Sequence, residues 1–209
     1  GNPIWEEIAE AAAMTRPTFS LNVAINKDHA ITAVFAGELF ASHRAGCEFV
    51  RRTAMRAVPR RFDIVITTNS GYPLDQNVYQ SVKGMAAAAR VVNPGGSIIC
   101  AAECADGVPE HGNYRKILQM GRTPDELLRL ICSPGFAMFD QWQVQIQAQI
   151  QRQATVYLKC ELPDEVVRST HFEPCDDISA LVRHLVQQHG PQTSICVLPQ
   201  GPQTVPYVQ

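Results

Sequence analysis

The sequence predicts an α/β fold: a three-layer α/β/α sandwich with a largely parallel sheet, preceded by a helix–hairpin–helix N-terminal segment. Three observations carry this. Ile64, Val65 and Ile66 form a short β-branched run of the kind a sheet buries on both faces. A polar Gly/Pro loop and then a segment of helical spacing follow it, the order of a parallel βαβ unit. From Pro59-Arg60-Arg61 onward strand and helix signals alternate, which they do not do before it. The expected division is an N-terminal, interdomain segment over 1–58 and an α/β domain over 59–209.

Asn2 as a cap, Pro3 at the first position and Glu6 and Glu7 in the first turn open the first helix. Its apolar stripe is Ile4, Ile8, Ala11 and Ala12, and Arg16-Pro17 ends it. Residues 21–25 and 31–35 flank Asn26-Lys27-Asp28-His29 and read as a β-hairpin. The pattern over 40–58 predicts a long amphipathic helix. Arg51, Arg52, Arg56, Arg60 and Arg61 fit a solvated or interdomain face better than an anion site. Then come a strand over 63–68, a helix over 75–92, a turn at Asn93-Pro94-Gly95-Gly96 and a strand over 97–102, implying a right-handed crossover. Helices follow around 111–120, 123–132 and 139–152, then a strand over 154–160, a helix over 177–189 opening on Asp176 or Asp177, and a strand over 194–198. In the glutamine-rich stretch 141–153, Trp142, Val144, Ile146 and Ile150 predict a helix that packs one side and exposes its glutamines on the other.

With 209 residues, 45% hydrophobic and 18% charged, the chain can bury a substantial core. A net charge of −2 gives no footprint for nucleic acid or an anionic membrane. No apolar run approaches the ~20 residues that span a bilayer, and the first residues lack the features of a signal peptide. The seven cysteines form no C-x-x-C pair and read as free thiols of a reducing cytoplasm. His184 and His189, five apart, cannot share a helical face, so no self-contained metal site is expected.

The loop after the first parallel strand and the helix that follows carry Asn69, Ser70, Tyr72, Asp75, Gln76, Asn77, Tyr79, Gln80 and Lys83. Such a loop lies at the carboxyl end of a strand, where open α/β sheets bind ligands. On a helix Tyr79 and Lys83 stack one turn apart, with Gln80 beside them. An ammonium and an amide so placed suit a small carboxylate or hydroxyl-bearing ligand. The same residues also fit an ordinary exposed helix face, and a lone Trp142 is more often core than ligand contact. No G-x-G-x-x-G, G-x-S-x-G or P-loop pattern is present. The Pro94-Gly95-Gly96 turn leaves a methyltransferase-like enzyme with a nucleoside cofactor as one alternative, and a binding or interaction module without chemistry as another.

The block from Asn69 to Met85, with Tyr72-Pro73-Leu74-Asp75-Gln76-Asn77 at its centre, resembles the C-terminal half of the lactate racemase family, whose members use a nickel-pincer nucleotide. Gly1-Asn2-Pro3 with Glu6-Glu7-Ile8, Leu21-Asn22-Val23, the run from Ala36-Gly37 to His43-Arg44-Ala45-Gly46, Asp140-Gln141-Trp142-Gln143 and Pro199-Gln200-Gly201-Pro202 are similar to it as well. One departure is Ser70, where family members often carry glycine.

The resemblance implies an isomerase, a racemase or epimerase of 2-hydroxy acids, with its site in a cleft between two domains. The N-terminal domain of such enzymes supplies the cofactor lysine, the nickel-ligating histidine and the two acid–base histidines, so no catalytic or metal-binding residue is expected in this chain. It is expected to be the C-terminal portion of a longer cytoplasmic enzyme, inactive alone and partnered by its own N-terminal domain. By motif, the substrate-binding residues fall on Tyr79, Gln80, Lys83 and Trp142. The implied reaction is reversible hydride transfer from the substrate α-carbon, with Gln80 and Lys83 fixing the carboxylate and Trp142 excluding water.

Overall fold

The computed structural model describes residues 1–26 and 28–209, and the chain divides into two compact units, Gly1–Met55 and Arg56–Gln209. In the first unit, helix α1 (Pro3–Met14) starts as its residues dictate: the Asn2 side chain accepts the Ile4 and Trp5 N–H groups at 3.2 and 3.4 Å. Strands β1 (Ser20–Ile25) and β2 (Ile31–Gly37) pair antiparallel, Val23 opposite Val34. Lys27, in the expected turn, lies outside the described residues. Helix α2 (Leu39–Thr53) is capped by Glu38, whose carboxylate accepts from Phe40 and Ala41 N–H at 3.0 and 2.8 Å. Those two donors hold the Glu38 carboxyl below the usual carboxylate range.

The helix expected to run to Val58 stops at Thr53. Residues Met55–Val58 are instead a strand, β3, paired with the chain's last strand, Val205–Val208. Pro59 disfavours helical backbone at Val58, and a partner strand supplies the ladder that a further helical turn would have supplied.

In the second unit, β4 (Phe62–Thr68) leads to α3 (Val78–Ala89) and β5 (Val92–Ala101). Helices α4 (Tyr114–Leu118), α5 (Pro124–Ile131) and α6 (Gln141–Gln153) precede β6 (Thr155–Lys159). Then follow α7 (Asp164–Ser169), β7 (Glu173–Pro174), α8 (Ile178–His189), β8 (Ile195–Leu198), a 3-10 turn (Gly201–Gln203) and β9 (Val205–Val208). The five-stranded sheet has the order β7-β6-β5-β4-β8, every neighbouring pair parallel. Alternation along the strands sorts the core into two layers. Val65, Ile98, Cys100, Val156 and Leu158 pack with Val82, Met85, Ile117, Leu127 and Val144 from α3 to α6. Ile64, Ile66 and Ile99 face the other way, onto Leu181 and Leu185 of α8. The three-layer α/β/α sandwich with its parallel sheet is therefore the fold, with β3, α7, β7 and β9 added to the expected elements.

The Asn93-Pro94-Gly95-Gly96 turn is not a connection between helix and strand but lies within β5. Phe62 pairs with Val92 and Ile64 with Ser97, so between these pairs one residue of β4 faces four of β5 and the excess bulges out. Asp63 holds this irregular end together: it accepts the Asn93 amide and both the N–H and hydroxyl of Ser194, each at 2.8 Å. The Ser194 and Asn93 donors lower its carboxyl to about 2. A carboxyl depressed in the folded state stabilises above its unfolded pKa, and that contribution is lost as pH falls through the folded value. Because Asp63 is partly solvated, Asp63→Asn is expected to cost only about 1 kcal/mol near neutral pH, after screening. The difference in urea midpoint between the two proteins should shrink between about pH 4 and pH 2. A pH-independent difference would contradict this role.

Helix α6 corrects the reading of its glutamines. Gln143 and Gln147 are buried, not solvent-facing. Gln147 accepts the buried Tyr114 hydroxyl and donates to Thr170 O at 2.6 Å. Gln151 donates to His171 O at 2.5 Å, and Gln153 to Ala89 O at 2.9 Å. A long amide reaches carbonyls of loops and helix ends that secondary structure leaves unpaired. Among the described residues no helix is long and apolar enough to cross a membrane.

Candidate functional site

The polar loop after β4 has two populations. Asn69, Asp75 and Asn77 are buried and hold the loop itself. Asn69 donates to Leu74 O and accepts the Gly84 N–H at 2.9 Å, tying the loop to the middle of α3. Asp75 accepts the Glu103 N–H at 3.1 Å, and the Asp75 and Gln76 carbonyls take the N–H groups of Cys104 and Asp106 at 2.9 and 2.7 Å. Asn77 caps α3 by accepting the Gln80 N–H at 3.0 Å. These bonds delay the helix to Val78, three residues beyond the expected start at 75. Ser70 sits at φ 67°, in the left-handed region that a glycine would enter freely.

The second population faces outward from the first turns of α3. Lys83 is exposed, and its Nζ donates to Gln80 Oε1 at 2.6 Å. With its carbonyl so engaged, Gln80 presents its NH₂ as the free end. Tyr79 is half-buried, its ring edge-on to Tyr114 at 5.2 Å. A cleft of about 330 Å³ opens here, lined by Gln76, Asn77, Tyr79, Gln80, Pro109, His111, Phe139 and Asp140. Tyr79 and Gln80 thus share a cleft wall, whereas Lys83 and Trp142 do not line it. Lys83 adjoins it through Gln80, and Trp142 through Phe139, whose ring it meets edge-on at 4.9 Å. Trp142 is 45% exposed and Phe139 66%, so this aromatic pair is not core.

Reasoning from sequence missed three contributors. Gln143 Nε2 donates to Tyr79 O at 2.6 Å and so locks α6, with Trp142 on it, to α3. Asp140 adopts φ 73° and accepts the Asn113 N–H at 3.0 Å, joining the loop that carries His111 to the one that carries Phe139. Asp140 and Gln143 lay inside a recognised motif segment; His111 carried no local signal. A second cleft, about 390 Å³, lies at the carboxyl ends of β4, β5 and β6 and includes Thr68, Asp75, Glu103, Lys159 and Cys160. Contact with Cys104 draws the Cys160 thiol below its ordinary range, while Cys104 itself is pushed up. The crevice between β4 and β8, where the strand order reverses, is filled by the chain itself: a Cβ on Gly201 would meet Thr67 Oγ1 and lie 2.7 Å from Thr68 O. Among the described residues no three His, Cys, Asp or Glu side chains group as metal ligands.

The parallel three-layer domain thus carries an exposed lysine and a neighbouring amide on the first turns of α3, beside an exposed aromatic pair. Residues 58–205 match the lactate racemase C-terminal domain, and the chain belongs to that family. It is 39% identical over 204 residues to the lactate racemase of Thermoanaerobacterium thermosaccharolyticum, an alignment covering 96% of this chain and 47% of that one. To the lactate racemase of Lactiplantibacillus plantarum it is 34% identical over 203 residues, with the same 96% and 47% coverage. The lactate racemase apoprotein structure from T. thermosaccharolyticum superposes with a TM-score of 0.91 at 35% identity, over 99% of this chain and 50% of that one. A Thermotoga maritima protein matches at TM-score 0.61 and 15% identity, over 91% of this chain and 49% of its own, which bears on the fold alone. The chain spans about half the length of the curated relatives it matches.

Proposed function

We propose that this chain is the substrate-positioning half of a 2-hydroxy acid racemase or epimerase, working in the cytoplasm with an N-terminal domain that holds a nickel-pincer nucleotide and the acid–base histidines. The observation that carries the reading is the Lys83–Gln80 pair, joined at 2.6 Å on the first turns of α3 beside an open cleft. Lys83 offers a point charge to a carboxylate, and Gln80 a neighbouring N–H donor at a fixed angle to it. Holding the carboxylate at two points restricts how the α-carbon is presented, and orientation is what this half contributes. Tyr79, on the cleft wall, supplies a hydroxyl for the substrate's polar end.

The exposed pair Trp142 and Phe139 fits the covering of a flat cofactor carried elsewhere; among the described residues no three His, Cys, Asp or Glu side chains group to hold its metal. The chemistry such a cofactor supplies is the reversible acceptance of a hydride. Covering it, Trp142 and Phe139 exclude water from the reacting carbon. The seven unpaired cysteines suit a reducing compartment.

The test is enantiomer interconversion. Full-length, nickel-loaded protein is incubated with single enantiomers of a panel of 2-hydroxy acids and followed by chiral chromatography. Conversion of at least one acid is expected. No conversion of any acid, together with calorimetric binding of S-adenosylmethionine, would replace this reading with the methyltransferase-like one.

A further inference from the structure

The first unit, Gly1–Met55, has almost no interior: among its described residues Ser42 alone is buried. Its hairpin is dressed on one face and bare on the other. Phe35 turns toward α2, its ring 5.7 Å from that of Phe49 in a tilted pair, and a Cβ on Gly46 would meet the Phe35 ring at 3.4 Å. The alternate positions form the opposite face: Leu21, Val23 and Ile25 of β1 with Val34 of β2, 64%, 43%, 58% and 59% exposed. On α1, Ile4 and Ile8 are 72% and 62% exposed. Four large aliphatic side chains on one side of a two-stranded ribbon are a layer lacking its other layer. A two-stranded ribbon of this kind is also marginal alone, and both its outer edges keep unpaired backbone groups.

From this we infer that Gly1–Met55 is not a tether but a detached part of the other half's fold: the Leu21/Val23/Ile25/Val34 face is a core surface, covered by apolar residues of the N-terminal half. The length supports that occupant over a second copy, since relatives matched along 96% of this chain carry about as many residues again outside the match. A half of that size can supply both the apolar layer and a strand for the free edge. The inference depends on the proposed function only for the existence of that half, and the experiment below needs neither nickel nor turnover, so the two can fail separately.

Hydrogen–deuterium exchange is measured on peptides spanning 20–37 in the full-length protein and in the 1–209 chain, each over a hundredfold range of concentration. The hairpin amides are expected to exchange at least tenfold more slowly in the full-length protein, at every concentration. Peptides from β4 and β5 should exchange alike in both, because their core is internal to the second unit. Equal hairpin exchange in the two proteins overturns the inference. So does protection in the full-length protein that disappears on dilution as a dimer dissociates, which would make a second copy the occupant.

Discussion

Lys83→Ala in the full-length protein is expected to lower turnover of a 2-hydroxy acid at least tenfold while hardly moving the urea midpoint. The side chain is exposed, and its bond is to Gln80, itself at the surface of a cleft. Surface changes of this sort alter stability by about 0.5 kcal/mol or less. A charge-assisted hydrogen bond to substrate contributes about 1.5–3 kcal/mol, and each ~1.4 kcal/mol is tenfold in rate. Freed of Lys83, Gln80 can also rotate, so its amide would no longer be held toward the substrate. Rates by chiral chromatography beside urea unfolding of the same preparation check both halves of the expectation. Wild-type turnover in the variant would remove Lys83 from the site.

Gly84→Ala is expected to have the largest effect on stability, about 2–4 kcal/mol. The added Cβ would lie 2.5 Å from Thr68 O and 3.1 Å from Asn69 Oδ1. Neither neighbour can yield cheaply. Thr68 closes β4, paired with Ala101, and Asn69 Oδ1 is the acceptor for the Gly84 N–H. The helix must therefore move away from the sheet, which weakens the packing of Val82 and Met85 and shifts Gln80 and Lys83 together. Both the urea midpoint and turnover should fall, unlike the Lys83 variant, in which turnover alone falls. An unchanged midpoint would mean that α3 does not rest on the end of β4 as described.

The contrast between these two glycine- and lysine-centred effects also marks how far the sequence could be read. The β4–α3–β5 unit was legible because β-branched runs and some capping residues act over a few neighbours: Ile64 to Ile66 demand burial and, further on, Asp177 caps the helix that follows it. Asn77, the cap of α3, instead lies inside the span expected to be helical. The β3–β9 pair was not, since two four-residue strands some 150 positions apart leave no periodicity to detect, and the two-residue β7 leaves less. The glutamines of α6 were misplaced for a related reason. Amide side chains look like surface until the carbonyls that they satisfy, at Thr170 and at Ala89 in the last turn of α3, are known. At the site, composition showed a cluster of polar residues but could not separate Asn69, Asp75 and Asn77, which hold the loop, from Gln80 and Lys83, which face out. His111 entered the cleft only through a fold that brings the segment after β5 beside α3.

The claim that Lys83 and Gln80 read a carboxylate has one direct measurement: the ratio of kcat/KM for a 2-hydroxy acid to that for its neutral 2-hydroxy amide, in the full-length wild type and in Lys83→Ala. If Lys83 supplies the charge that holds the carboxylate, wild type should prefer the acid at least tenfold and the variant should lose most of that preference. An acid-to-amide ratio that is the same in both proteins would contradict the assignment.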